Sequence, residues 1–371
     1  MGAPPGGPLR TTPPEIKSVT PDSGAVNVRD QPVVFEFDEV VNERAGSSGE
    51  LSSLFLISPR TGAPRVSWKR NRIEVRPKDG FKPNTAYSVT LLPGLSDLRN
   101  NVMKTGRTVV FSTGPTIPSL AIHGRVFDWS AERPAPLALI DVIRRPDSLP
   151  YIGAADSTGQ FIVGPLTAGT YTVRATTDNN RNHTVDRDEP WDSVTVQLTA
   201  DKAPFLELLA APRDTIAPRL LTVTVSDSLH LLASFDRPLD PTSPITASNF
   251  RIVRTDSTPQ QIASVMTSAA ADSLKRAAAA DSVRRDTTAV ARAARDSAAL
   301  RQLSAAIEQV PRPSRPAPPR DIVVTMRPET PLKPGSYRVS ALNIRGLAGK
   351  PRSSDRILTV ARPDSTARPR P

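Results

Sequence analysis

The sequence predicts an all-β protein of three tandem β-sandwiches, the third interrupted by an alanine-rich helical insertion. Three observations carry that reading. Short apolar–polar alternations recur between turn signals along most of the chain. Proline makes up 39 of 371 residues, about twice the usual share of roughly 5%, and a proline-rich chain cannot be one long helical bundle. The first stretch also recurs, in degenerate form, near the C-terminal end. The length suits two or three domains at about 100–200 residues each. A hydrophobic share of 38% is enough for several small cores.

Residues 1–13 read as a flexible Pro/Gly leader with no apolar signal-peptide core. The first module is expected over 14–115. In V-V-F-E-F, Val33, Phe35 and Phe37 point one way and Val34 and Glu36 the other. R-I-E-V-R-P sets Ile73 and Val75 against charges, and Tyr87, Val89 and Leu91 alternate with Ala86, Ser88 and Thr90. The turns are P-D-S-G (21–24), P-K-D-G (77–80), K-P-N-T (82–85) and L-R-N-N (98–101). A second set of strands fills 119–210: L-A-I-H-G-R-V-F-D-W, P-L-A-L-I-D-V-I-R-R, Q-F-I-V-G-P-L after the turn D-S-T-G (156–159), A-G-T-Y-T-V-R-A-T-T, S-V-T-V-Q-L-T and F-L-E-L-L-A-A-P. The segment A-P-R-D-T-I-A-P-R-L (211–220) leads into a third module, 216–362.

That third module repeats the first. F-E-F-D-E-V-V (35–41) resembles A-S-F-D-R-P-L (233–239), and the strand–turn–strand run 72–91 resembles 321–342. Between these landmarks the third copy carries about 53 extra residues, which places an insertion at 266–320. Residues 266–310 are rich in Ala, Asp and Arg and read as a solvated helix, with acid-before-base pairs at Asp272–Arg276 and Asp281–Arg285. Leu300, Leu303, Ile307 and Val310 fall on one face of it. P-R-P-S-R-P-A-P-P-R (311–320) is expected to be an extended, polyproline-like spacer. Residues 363–371 read as a disordered tail.

The repeated unit resembles the bacterial Ig-like domain of the SbsA type, found in surface-layer and envelope proteins. The carrying residues are T-T-P-P-E-I-K-S-V-T-P-D-S-G-A-V-N-V (11–28), F-E-F-D (35–38) and F-K-P-N-T-A-Y-S-V-T-L-L-P-G-L-S-D-L-R-N-N (81–101). The middle module resembles the carboxypeptidase-regulatory-like, transthyretin-like sandwich through I-H-G-R-V (122–126), P-A-P-L-A-L-I-D-V (134–142), D-S-T-G-Q-F-I-V (156–163) and L-T-A-G-T-Y-T-V-R-A (166–175). The order of modules behind an A-P-P-G-G-P leader is similar to a group of bacterial envelope lipoproteins, in which the leader follows a lipidated cysteine. The sequence has no cysteine. The resemblance implies a non-catalytic, extracytoplasmic protein of the periplasm, outer membrane or cell surface. It would space, scaffold or adhere, with envelope proteins or cell-surface glycans as partners. A carbohydrate- or cell-wall-binding module is the alternative. Membrane contact is expected only through a lipid anchor that this chain does not carry.

Composition narrows the chemistry further. Without cysteine there are no disulfides, thiolate zinc sites or cysteine nucleophiles. The three histidines, His123, His183 and His230, are far apart and lack metal spacing, so surface or strand roles are expected. No apolar run reaches the length of roughly 18 residues that spans a bilayer. The net charge of +11 is mostly arginine, spread along the chain and interleaved with Asp. Nucleic-acid binders gather basic residues into one patch with stacking aromatics, so no nucleic-acid partner is expected. Trp68, Trp129 and Trp191 are dispersed, which favours packing over a sugar-stacking platform.

One segment has the spacing of a cation loop. In T-T-D-N-N-R-N-H-T-V-D-R-D-E-P-W-D (176–192), Asp178, Asn180, Asn182, Thr184, Asp186 and Glu189 occupy positions 1, 3, 5, 7, 9 and 12 of an EF-hand-type calcium loop. Calcium takes six to eight oxygens, and a tight loop with oxygen at every second residue can wrap it. The sixth position, normally glycine, is His183, and Pro190 follows in place of a helix. The alternative is an Asx-rich turn that caps its own backbone. A calcium site here is expected to bind weakly, on the order of 10⁻⁴–10⁻³ M. Asp186 and Glu189 could in principle serve acid–base chemistry, but a solvent-open loop gives no reason for a raised pKa, and no enzyme is expected.

Overall fold

The computed structural model describes residues 11–46, 49–146, 149–200, 204–212, 215–285 and 311–361. It is nearly all β, with 48% strand against 7% helix. Among the described residues no helix is long and apolar enough to cross a membrane. The chain forms two compact units. The first takes in the described residues up to Asp128 together with Pro134–Ala211. The second takes Trp129–Arg133 and the described residues from Pro212 onward. The first unit holds two apolar cores and the second unit a third.

The first core lies between two sheets. Strands β1 (Ile16–Thr20), β2 (Val33–Phe37), β3 (Phe55–Ser58), β4 (Pro64–Lys69), β5 (Arg72–Pro77), β6 (Ala86–Leu91) and β7 (Arg107–Ser112) form sheets of order β1-β2-β5-β4 and β3-β6-β7. In β2, Val33, Phe35 and Phe37 are fully buried while Val34 and Glu36 are half-exposed, the pattern read from the sequence. Phe81, Tyr87 and Phe111 pack with ring centroids 4.8–6.0 Å apart. Tyr87 also accepts the Lys82 N–H at 2.9 Å, so a buried ring carries a satisfied hydroxyl. Asp38 anchors the entering chain: it accepts the Glu15 N–H at 2.8 Å, and its own N–H donates back to the Glu15 carbonyl. Buried Asp97 organises S-D-L-R-N-N by accepting the N–H groups of Arg99 and Asn101 and the Asn101 side-chain amide.

The second core lies between sheets made of β8 (Leu120–Asp128), β9 (Leu139–Arg144), β10 (Pro150–Ala154), β11 (Gln160–Leu166), β12 (Gly169–Thr176), β13 (Trp191–Leu198) and β14 (Phe205–Ala210). β8 pairs antiparallel with β11 and parallel with β14; the other sheet has the order β10-β9-β12-β13. Gly124 sits where β14 and Phe161 approach. A Cβ there would lie 2.4 Å from the Leu206 carbonyl oxygen and 2.6 Å from the Phe161 ring, so any other residue would push the sheet apart.

The third core repeats the layout of the first. Strands β15 (Leu220–Val225), β16 (His230–Phe235), β17 (Phe250–Arg254), β18 (Ile262–Thr267), β19 (Asp321–Met326), β20 (Gly335–Ile344) and β21 (Arg352–Val360) form sheets of order β15-β16-β19-β18 and β17-β20-β21. Asp236 accepts the Arg219 N–H at 2.7 Å, and buried Tyr337 accepts the Lys333 N–H at 2.9 Å, as Asp38 and Tyr87 do in the first copy.

The insertion begins slightly later than expected. Met266 and Thr267 pair with Val323 and Ile322 and belong to β18, because the hairpin continues until its residues run out of partners. Helix α1 therefore starts at Ser268 and runs to Arg285. Arg276 reaches the Asp272 carbonyl and the Ser273 hydroxyl. The face formed by Leu300, Leu303, Ile307 and Val310, the residues 1–10 of the leader and the 363–371 tail lie outside the described residues.

Candidate functional site

The 178–189 loop leaves the end of β12, and its neck is closed by the Thr177 N–H donating to the Pro190 carbonyl at 2.8 Å. All six residues picked out by spacing belong to one hydrogen-bonded network. Asp178 accepts the N–H groups of Asn182 (3.2 Å) and His183 (2.9 Å). The Asn180 side-chain oxygen accepts the Asn182 N–H, and that of Asn182 accepts the N–H and hydroxyl of Thr184. Asp186 accepts the side-chain amides of Asn180 (2.7 Å) and Asn182 (3.0 Å). Glu189 accepts the Asn179 N–H at 2.9 Å through one oxygen and the Asp186 N–H at 3.3 Å through the other.

Two features of the loop differ from expectation. His183, in the place where glycine was expected, adopts the left-handed conformation that glycine would supply, with φ 56°, and Arg181 does the same at 57°. Such backbone costs roughly 1–2 kcal/mol per residue, and the bonds from Asp178 and Asn182 offset it locally. Glu189 is also not solvent-open: it is 5% exposed, because both its oxygens are turned into the loop. Among the described residues, no three His, Cys, Asp or Glu side chains gather closely enough to hold a metal. The loop as it stands satisfies its own polar groups, as an Asx-rich turn does.

The residue that ties this loop to the rest of the first unit was not legible as a site. Arg60, just past β3, donates to the His183 carbonyl at 2.5 Å and forms an ion pair with Asp141 of β9 at 3.1 Å. Its own N–H donates to the Pro150 carbonyl at 2.7 Å, and the buried Ser58 hydroxyl accepts the Ile152 N–H at 3.0 Å. The edges β3 and β10 are thereby joined within one unit. Burial pushes the Asp141 carboxyl above the ordinary carboxylate range, and the charges of Arg60 and Arg174 pull it back. Burial likewise lowers His183, with the Asp178 charge opposing and Arg60 assisting. One signal in the sequence pointed here: an Asp inside the apolar run L-A-L-I-D-V-I needs a partner once the strand is buried. Nothing local named Arg60 as that partner.

The tryptophans do not form a platform. Trp68 packs on the first core and donates its N–H to the Val41 carbonyl. Trp191 carries the Arg174 guanidinium over its ring at 5.1 Å. Trp129 is buried. His230 bonds the exposed Asp227 side chain at 2.8 Å. His123 lies in β8 between Ile162 and Phe205, which are 68% and 62% exposed on the outer face of their sheet. A cavity of about 160 Å³ in the second unit, lined by Asp236, Arg237 and Arg320 among others, is smaller than the roughly 300–1,000 Å³ of typical ligand pockets.

A protein-family profile described as bacterial Ig-like domain matches residues 10–113. That match spans the first sandwich and does not extend to the second or third, so the first sandwich is similar to a bacterial Ig-like domain. None of the curated proteins matches. Among solved structures, the chain is similar to an L,D-transpeptidase from Mycobacterium smegmatis, with 20% identity, 50% of this chain and 74% of that chain covered, and a TM-score of 0.21. It is similar to the N-terminal part of the bacterial S-layer protein SbsC at 14% identity, covering 54% of this chain and 43% of that chain, with a TM-score of 0.21. The major pilin subunit BcpA of Bacillus cereus is similar at 11% identity, with 53% and 70% covered and a TM-score of 0.18.

Proposed function

We propose that this chain is a non-catalytic, extracytoplasmic structural module of the SbsA-type Ig-like class, a spacer or scaffold of the bacterial envelope. The observation that supports it best is the junction in the first unit. Two sandwiches in succession are joined there by the Arg60 N–H on the Pro150 carbonyl, the Ile152 N–H on the Ser58 hydroxyl and the partly buried Arg60–Asp141 pair. A spacer must transmit position from one end to the other, and bonds at the junction oppose the relative motion that is otherwise the default between domains. The resemblance to envelope lipoproteins adds an anchor through a lipidated cysteine encoded upstream. An in-frame upstream extension with a signal and such a cysteine is what that part of the reading requires.

The absence of native cysteine makes the mechanical part directly measurable. Spin labels on Lys78→Cys and Thr195→Cys, both exposed sites, should give one narrow distance distribution in the full chain. Adding Arg60→Ala should broaden it. A broad distribution before that change would overturn the rigid-spacer reading. The carbohydrate-binding alternative is weakened by Arg174 covering one face of Trp191. Retention on cell-wall material that is lost in Trp191→Ala would restore it.

A second reading concerns the 178–189 loop as a weak calcium site built from Asp178, Asn180, Asn182, Thr184, Asp186 and Glu189. Its support is that these residues already close on one another and that buried Glu189 turns both oxygens inward. Calcium would draw the Asn180 and Asn182 side-chain oxygens inward and end their amides' bonds to Asp186. Isothermal titration should show binding on the order of 10⁻⁴–10⁻³ M that disappears in Glu189→Gln. No heat, together with no rise in Tm with calcium, would retire it.

A further inference from the structure

The proline-rich stretch that closes the insertion is held at one corner within the second unit. Trp129 opens a short turn, Trp129–Ala131, and is 8% exposed. Its indole N–H donates to the Pro316 carbonyl at 2.8 Å. The guanidinium of Arg315 lies 5.1 Å from the centre of the same ring. Glu132, held in the left-handed conformation at φ 49°, turns its carboxylate to accept the Ala317 N–H at 2.7 Å. Three consecutive residues are therefore read by three different groups: a cation over a ring, a carbonyl on an indole N–H and an N–H on a carboxylate.

This is the chemistry by which extended proline-rich peptides are recognised. Proline has no N–H and sets φ, so such a segment cannot pair into a sheet and presents carbonyls to an outside donor. An aromatic residue with an N–H meets that need, and the preformed extended chain loses little entropy on docking. The stretch is then fixed to the third sandwich, where the Pro319 and Arg320 carbonyls accept the Leu239 and Phe235 N–H groups before β19 begins.

We infer that the Trp129–Glu132 corner is a binding site for extended, proline-rich peptide and that residues 315–317 of this chain are its built-in occupant. The contact is a latch: it sets where the chain returns from the insertion and delivers Asp321 in register to β19. It is independent of the spacer reading, since it involves neither Arg60 nor the first unit. Because occupant and receptor share one chain, an outside peptide competes only at millimolar concentration, the usual effective concentration of a short tether.

The full-length protein labelled with 5-fluorotryptophan gives one fluorine resonance for each of its three tryptophans, and Trp129→Phe assigns the relevant one. Replacing the occupant by Arg315→Ser, Pro316→Gly and Ala317→Ser should shift the Trp129 resonance and leave those of Trp68 and Trp191 in place. A synthetic peptide P-R-P-S-R-P-A-P-P-R at millimolar concentration should return it, and a peptide with every proline replaced by serine should not. A Trp129 resonance that does not move on replacement, or that the peptide fails to return, overturns the inference. A milder variant guards against misfolding: Glu132→Gln should speed hydrogen exchange at the Ala317 amide on the order of tenfold, since it weakens a charge-assisted bond. An unchanged exchange rate there also overturns it.

Discussion

The first and third sandwiches share a strand order but not a core, and the difference separates what the fold requires from what it tolerates. Both copies pin the entering chain with an aspartate after β2 or β16, Asp38 and Asp236. Both also bury a tyrosine whose hydroxyl takes a lysine N–H, Tyr87 and Tyr337. These are polar solutions to backbone groups that every copy must satisfy. The apolar positions vary. Tyr87 faces Phe111 across the strands, whereas Tyr337 faces Leu358; Phe35 stands where the third copy has Ala233, since both residues pair with an isoleucine of the next strand. Hydrophobic packing asks for volume and shape, and several side chains can supply it. The hairpin between β4 and β5 turns through Arg70 and Asn71, while the equivalent hairpin of the third copy accepts the whole of 268–320. A hairpin tip at the sheet's end bears few obligations, so length is tolerated there.

The largest expected effect tests the core difference. Phe35→Ala should cost about 3–5 kcal/mol, as large-to-small changes of a buried Phe do, because Phe55 packs against it at 5.5 Å. Ala233→Phe should cost about 1–3 kcal/mol through overpacking. Urea unfolding followed by hydrogen exchange in each core would measure both, and an indifferent response at Phe35 would mean the first core is not tightly packed. Next comes Asp97→Ala, expected to cost about 2–3 kcal/mol because a buried carboxylate satisfying several N–H groups is lost. The third copy has Gly346 at the matching bridge, opposite Leu239 as Asp97 is opposite Val41, so its loop closes without such a residue.

A smaller and symmetric effect is expected from the shared tyrosines. Tyr87→Phe and Tyr337→Phe each strand a lysine N–H and should cost about 1–2 kcal/mol. A cost in one copy alone would show that only one tyrosine holds its turn. The smallest effect is confined to the first unit and depends on pH. Burial holds His183 below its ordinary 6.5, so the folded state binds its proton less readily than the unfolded chain. Its contribution is present above 6.5 and is lost as pH falls toward its lowered value. Thermal melts of His183→Gln across that window should be flatter than those of the parent. Asp141 runs the other way: with its pKa raised, its contribution is fully present below its ordinary 3.8 and is lost as pH rises through its raised value.

Much of this was legible. Alternation in V-V-F-E-F gave the inward set of β2, and the F-D and K-P…Y landmarks located the repeat and its insertion. The six residues spaced over 178–189 share one hydrogen-bonded network that caps its own backbone. What was not legible shares one property, long separation in sequence. Arg60 meets Asp141 and His183 from another sandwich, and the proline-rich stretch, read as a spacer, is bound by Trp129 and Glu132. Glu189 looked exposed in a polar segment and is buried because the loop folds over it.

Local pattern and composition by themselves determined that this protein is a string of β-sandwiches with a repeated unit and an insertion, since strand periodicity and turn chemistry act over a few residues. Tertiary structure alone decided which charges are buried, which loop is tied to which strand edge and what the tryptophans hold. Those outcomes depend on contacts closed over tens to hundreds of residues, where burial and partner geometry, rather than neighbouring sequence, set the energy.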